Sequence, residues 1–155
     1  MEEAKVIATV HFYSPRKSTF QTQPRIPFRR LRFPVGAQWE GTPSRKARIE
    51  RVLDGVAVWA SSEGRPVYFG EFGVFNVPHG VESKARWLEG VARETEHRGM
   101  SWAVWDLWTG FGMYQPALRV WRQELLDTLI SRPQSLQEET ADPTSRRTTS
   151  GRRRR

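Results

Sequence analysis

The 155-residue sequence has no cysteine and only three histidines. Without cysteine, the chain can form neither a disulfide framework nor a cysteine-ligated metal site. No hydrophobic run approaches the roughly 20 residues that a membrane-spanning helix needs. The acidic start, MEEAKVIATV, also lacks the features of a secretory signal peptide. We therefore expect no membrane partner, no metal and no cofactor, while the cellular location is left undetermined.

Positive charge is concentrated at the carboxyl terminus. The formal net charge is +8, and the last fifteen residues, ADPTSRRTTSGRRRR, contain six arginines and one aspartate. Arginine runs bind nucleic-acid phosphates without sequence selectivity. This run, however, has no interleaved aromatic residues and no recognised nucleic-acid-binding fold beside it. We interpret residues 131–155 as a disordered arginine-rich tail and nucleic-acid binding as a disfavoured alternative.

Residues 1–130 alternate between apolar strand-like runs and amphipathic helix-like segments. The runs at 6–10, 67–72 and 101–107 are typical of buried strands. A first helix is predicted from Thr42-Pro43 to Gly64, a second from Ser83 to Gly99, and a third from Pro116. The predicted inward faces are Ile49, Val52, Leu53, Val56 and Ala60, then Trp87, Leu88, Val91 and Thr95, then Leu118, Trp121, Leu125 and Leu129.

This order predicts an α/β fold with parallel strands and outer helices. Three βα units leave two unpaired sheet edges, and a complete (β/α)8 barrel needs about 250 residues. The sequence therefore predicts either part of such a barrel or a small open α/β sheet.

Polar and aromatic residues follow each predicted strand. Glu71 stands between Gly70 and Gly73, His11 and Tyr13 follow the first strand, and Trp105 and Asp106 follow the third. Sites in parallel α/β folds collect at the carboxyl ends of strands, and carboxylates with aromatic rings suit a sugar site. The alternatives are structural: a strand-end acid paired with an arginine, a hydrogen-bonded imidazole, and packed rings.

Several stretches together resemble the last part of glycoside hydrolase family 5, the cellulase or endoglucanase family. They are VIATVHFYSP, LRFPVGAQWEGTPSRKARIERVLDGVAVWA, RPVYFGEFGVF, SKARWLEGVARETEHRGMSWAVWDL and GFGMYQPALRVWRQELLDTLI. The resemblance covers about residues 6–130 and implies strands six to eight of a (β/α)8 barrel. It also implies a retaining hydrolase of β-1,4-linked glucans, from a family whose members are often secreted.

The resemblance assigns roles to five residues. Glu71 matches the nucleophile, and His11 and Tyr13 match the substrate-cleft histidine and the tyrosine that hydrogen-bonds the nucleophile. Trp105 matches the sugar-stacking tryptophan after strand eight, and Trp39 matches a loop tryptophan that we assign to substrate binding with packing as the equal alternative.

The sequence also departs from the family pattern. The family's acid/base glutamate stands in an N-E-P motif, and this sequence has no N-E dipeptide. Because retaining hydrolysis requires two carboxyl groups, we expect this chain alone to be inactive or nearly so. The alternative function is a non-catalytic carbohydrate-binding half-barrel that self-associates through its open sheet edges.

Overall fold

The computed structural model describes residues 6–21, 36–78 and 80–130. The arginine-rich tail, whose disorder was predicted, lies outside these residues. In the described parts the elements run in the order β1 (Ala8–Phe12), α1 (Arg16–Thr19), α2 (Pro43–Glu63), β2 (Val67–Phe72), α3 (Val81–His97), β3 (Ser101–Val104), β4 (Tyr114–Gln115), β5 (Val120–Trp121) and α4 (Gln123–Leu129).

Three parallel strands form the centre of the structure in the order β1-β2-β3. The predicted parallel α/β arrangement is therefore confirmed. In the described residues, β1 and β3 each pair on one side only, so both outer edges of the sheet are open.

The core lies between the sheet and helices α2, α3 and α4. Phe72 and Phe12 pack against Trp87 of α3, with ring centroids 6.2 and 5.9 Å apart. Burial of these rings, together with Leu53 of α2 and Leu125 of α4, supplies the hydrophobic stabilisation that holds the helices on one face.

Two helix boundaries agree with the sequence and one differs. Helix α2 begins at Pro43 after Thr42 and ends at Gly64, whose left-handed backbone (φ 58°) closes it as predicted. Helix α3 begins at Val81 rather than after Ser83. Ser83 is instead buried within the first turn, where its hydroxyl accepts a hydrogen bond from the Trp39 amide at 2.7 Å.

The third predicted helix is wrong in its first part. Pro116 lies in the turn of a β4–β5 hairpin, in which Tyr114 pairs with Trp121. Helix α4 starts only at Gln123. The positive φ of Arg119 (55°) is incompatible with a continuous helix at this point. Leu118 and Trp121 are consequently exposed rather than inward, whereas Leu125 and Leu129 are buried as predicted.

In the part of the chain that the structure describes, no helix is both long enough and apolar enough to cross a membrane.

Candidate active site

A bulge near the end of β2 places Glu71 on the opposite face from the core. Val10 of β1 is level with Phe69, but the next residue, His11, is level with Glu71, so Gly70 is the extra residue. Phe69 and Phe72 are three residues apart yet both fully buried, because the bulge shifts the side-chain alternation by one. A side chain at Gly70 would lie 2.6 Å from the Thr9 hydroxyl, which explains glycine here.

The Glu71 carboxylate is held by two side chains of the neighbouring strand end. The Tyr13 hydroxyl donates a hydrogen bond to Glu71 Oε2 at 3.0 Å, and His11 Nδ1 lies 3.4 Å from the same oxygen. The Glu71 side chain is 27% exposed, so it is reachable from solvent. None of the described residues forms a hydrogen bond with Glu71 Oε1, which leaves that oxygen available to a ligand.

The surroundings of Tyr13 keep its phenol protonated, so that the hydroxyl can donate a hydrogen bond. Partial burial, then the hydrogen bond to Glu71, then the negative charges of Glu71 and Asp106 raise the pKa of its phenol above the ordinary value. Thr19 Oγ1 donates to the Tyr13 carbonyl at 2.8 Å, and the ring packs against Phe20 and Phe111. The phenol therefore stays protonated and fixed in position at neutral pH.

Trp105 reaches the same rim from β3. Its amide donates to the Phe72 carbonyl at 2.8 Å, and its own carbonyl lies where a side chain on Gly73 would have to be. The Trp105–Asp106 peptide bond is cis. Trp105 is 43% exposed, so the residue is accessible to solvent at this strand end.

Asp106 is engaged within its own loop. Its carboxylate accepts hydrogen bonds from the Thr109 amide at 3.1 Å and from the Thr109 hydroxyl. Such a cap on a turn is the ordinary role of a loop aspartate.

Trp39 does not belong to this rim. Its indole is only 1% exposed and lies against Gly41 and Gly90, the latter in α3. Because no face of the ring is open, a sugar cannot stack on it in this structure, and the packing alternative describes Trp39 better than substrate binding.

A buried lysine that the sequence interpretation missed fixes the loops behind the site. Lys84 Nζ donates to Asn76 Oδ1 at 2.7 Å and to the Phe111 carbonyl at 2.6 Å. Asn76 in turn donates from its amide to the Gly110 carbonyl and from Nδ2 to the Gly112 carbonyl, at 2.7 and 3.1 Å. The loops after β2 and β3 are thereby joined. The available signal was the position of Lys84, one helical turn before Trp87 on the apolar face of α3.

Residues 6–21, 36–78 and 80–130 contain no group of three or more His, Asp or Glu side chains that could hold a metal ion. The chemistry available at the rim is therefore that of one oriented carboxylate, its phenol and imidazole neighbours, and one exposed indole.

Parallel strands with outer helices are the arrangement of a (β/α)8-type fold, and the carboxylate stands at a strand end beside aromatic rings, where such folds place their sites. The Cellulase (glycosyl hydrolase family 5) profile matches residues 2–110. Since this match extends over more than half of the sequence, the chain belongs to glycosyl hydrolase family 5, as its motifs predicted.

Similar proteins agree with this assignment. Endoglucanase H of Acetivibrio thermocellus is 26% identical over 136 residues, which are 84% of this chain and 13% of that protein. A solved endoglucanase structure has a TM-score of 0.76 and 26% identity, covering 85% of this chain and 41% of that one. Thermotoga maritima Cel5A in complex with mannotriose has a TM-score of 0.74 and 30% identity, covering 83% and 41%.

The chain thus spans less than half the length of these relatives. Its three βα units correspond to part of a (β/α)8 barrel, which confirms the predicted fold class.

Proposed function

We propose that this chain carries the nucleophile half of a retaining β-1,4-glucan hydrolase, with Glu71 as the nucleophile. The observation that carries the proposal is the 3.0 Å hydrogen bond from the Tyr13 hydroxyl to Glu71 Oε2. That bond holds the carboxylate in one orientation, with Oε2 engaged by the phenol.

In the proposed reaction, the free oxygen of Glu71 attacks the anomeric carbon of a bound sugar. The glycosidic carbon–oxygen bond breaks, the leaving oxygen takes the electron pair, and a glycosyl ester of Glu71 forms. Trp105 offers an apolar face for stacking the sugar, and His11 lines the cleft beside Oε2. Water later hydrolyses the ester and regenerates the carboxylate.

The second carboxyl group of a retaining site must lie about 5–5.5 Å from the first and protonate the leaving oxygen. In the described residues the acid at the neighbouring strand end is Asp106, and its carboxylate already accepts hydrogen bonds from Thr109. We therefore propose that this chain alone does not hydrolyse ordinary glucans at a measurable rate, because an alkoxide leaving group needs that proton.

The substrate class is proposed from the relatives. Two of them are endoglucanases, and a third was solved with mannotriose. A β-1,4-linked glucan is the proposed substrate, and a β-mannan is the competitor to compare with it.

A substrate that needs no acid tests the nucleophile directly. Dinitrophenyl 2-deoxy-2-fluoro-cellobioside loses dinitrophenolate without protonation, and the fluorine slows hydrolysis of the ester, so the glycosyl group stays on the nucleophile. We expect mass spectrometry to find one fluoro-cellobiosyl group on Glu71 and none on the Glu71→Gln chain.

The matched control is Glu63→Gln, which removes an exposed carboxylate at the end of α2 and should label normally. Circular dichroism establishes that each variant is folded. A folded chain that is not labelled, or that is labelled equally after Glu71→Gln, would contradict the proposal.

A non-catalytic carbohydrate-binding role is the second candidate, because Trp105 is exposed at a rim where the described residues supply no second free carboxylate. Binding of cello-oligosaccharides without labelling of Glu71 would favour it.

A further inference from the structure

A second polar cavity lies apart from the Glu71 rim. It has a volume of about 240 Å³ and lies between the loop after β2, the first turn of α3 and the start of α4. Its lining includes Asn76, Gly80, Val81, Lys84, Arg122 and Leu125. We refer to it as the Lys84–Arg122 cavity.

Lys84 brings a buried amino group to this cavity, and that group is positively charged below its lowered pKa of about 7. The residue is 3% exposed, and its two hydrogen bonds go to neutral oxygens, Asn76 Oδ1 and the Phe111 carbonyl. An ammonium group has three N–H donors, so one is unused within the described residues. No carboxylate in those residues forms an ion pair with Lys84, and a buried charge without a counter-ion is unfavourable.

Arg122 adds a second positive charge to the same cavity. Its Nε is buried and, in the part of the chain that the structure describes, has no hydrogen-bond partner. The positive charge of Arg122 also acts on Lys84, because after burial it is the next cause that lowers the pKa of the ammonium group. Two cations that repel each other around a polar space, with unused donors, indicate a missing negative partner.

The backbone that lines the cavity also favours a negatively charged ligand. Gly80 and Val81 form the amino-terminal end of the 17-residue helix α3, where the helix dipole and free amides favour negative charge. In many (β/α)8 barrels the loops after the last two strands form a phosphate site, and β2 and β3 are the last two parallel strands here.

We propose that the Lys84–Arg122 cavity binds a small oxyanion, with the Lys84 ammonium and the Arg122 guanidinium as its positively charged partners. The volume accommodates one phosphate or sugar carboxylate with accompanying water. This site is independent of the proposed hydrolysis at Glu71, because none of the rim residues lines the cavity.

Phosphate and carboxylate present the same oxygen chemistry to these donors, so the experiment includes both. Isothermal titration calorimetry of the 155-residue chain is performed at about pH 6, where Lys84 is protonated, with inorganic phosphate and separately with glucuronate, in sodium chloride of matched ionic strength. We expect saturable binding of at least one of the two anions. The anion that binds shows whether the site takes a phosphate or a carboxylate. Heats that merely follow ionic strength for both probes would overturn the proposal.

Arg122→Gln removes the orphaned donor and its charge, and we expect it to weaken binding about tenfold or more, since charge-assisted hydrogen bonds exceed ~1.4 kcal/mol. Arg119→Gln is the matched control, because it removes the same charge from an exposed position on the same hairpin. Equal weakening in both variants would overturn the site.

Two further variants separate folding and function from anion binding. Arg122→Lys keeps the positive charge but replaces the guanidinium by an ammonium group, so we expect an intermediate affinity, and an affinity equal to that of the unaltered chain would contradict a role for the guanidinium. Glu71→Gln should bind the anion as the unaltered chain does. The two proposals can therefore fail separately.

Discussion

At the residue scale, the Tyr13 phenol makes the shorter of the two contacts that orient Glu71. The Tyr13 hydroxyl approaches Oε2 from the neighbouring strand, while Thr19 and two aromatic rings hold Tyr13 itself. A carboxylate held in this way presents its other oxygen to an incoming sugar without prior rotation.

Replacing Tyr13 by phenylalanine should slow labelling of Glu71. The lost hydrogen bond to a charged group corresponds to ~1.5 kcal/mol or more, which is about a tenfold loss in rate. The first-order labelling rate, followed by mass spectrometry, measures this. Tyr68→Phe removes a phenol that is exposed on β2, and it should label at the unaltered rate. A Tyr13→Phe rate within experimental error of the Tyr68→Phe rate would refute the orienting role.

Lys84 should make stability depend on pH in the alkaline range. Burial, together with the positive charge of Arg122 and opposed by the negative charge of Asp106, lowers the pKa of Lys84 from 10.5 to about 7. Between these values the unfolded chain holds a proton that the folded chain lacks, so the free energy of unfolding rises with pH. Below the folded pKa both states are protonated, and this contribution is constant.

Urea unfolding between about pH 7.5 and 9.5 is the measurement, and the expected slope from this residue approaches ~1.4 kcal/mol per pH unit. Lys84→Met should flatten it, because methionine does not titrate. Lys46→Met, on the exposed surface of α2, should leave the slope unchanged. An unaltered slope in Lys84→Met would show that another group titrates.

At the scale of elements, the contact between the ends of β2 and β3 depends on Gly73. A side chain there would coincide with the Trp105 carbonyl, so Gly73→Ala should destabilise the chain by about 2 kcal/mol through overpacking. Gly55→Ala is the matched control within α2, where an added methyl meets open space, and it should stabilise by about 1 kcal/mol. Thermal unfolding of both variants gives the two values. An unchanged stability of Gly73→Ala would contradict the close approach of Gly73 to the Trp105 carbonyl.

The elements also show what the sequence predicts and what it does not. The central strand is found at the predicted residues 67–72, because its apolar run is bounded by Pro66 and the glycines. The third helix was placed too early because Leu118, Trp121, Leu125 and Leu129 have helical spacing. Spacing alone does not predict the left-handed backbone conformation of Arg119.

The same distinction applies to the site. Strand ends bring His11, Tyr13, Glu71 and Trp105 to one rim, so parallel pairing was sufficient to group them. Trp39 lies four residues before α2, where no helical or strand periodicity predicts its direction, and only the structure shows that it is buried in the core. Lys84 was missed because a lysine on a helix is ordinarily exposed.

At the scale of the whole molecule, both outer strands lack a neighbour within the described residues, and apolar side chains such as Ile7 and Trp59 are exposed at the β1 flank. Open edges of this kind pair with other strands. We expect the chain to associate in a concentration-dependent manner in sedimentation experiments.

Ile7→Lys should reduce that association, because an edge charge opposes strand pairing. Ile130→Lys places the same charge on an equally exposed residue after α4 and should have little effect. A chain that remains monomeric at every concentration would show that the edges are already covered.

The adjacency of β1 and β2 has a consequence for inheritance. The hydroxyl donor and the carboxylate it orients lie on or next to neighbouring strands, with Tyr13 and Glu71 only 58 positions apart in the sequence. A single exchange of a gene segment that begins before β1 would transfer the oriented pair intact. Chimaeras that divide α2 would instead have to recreate a 3.0 Å contact between strands of different ancestry.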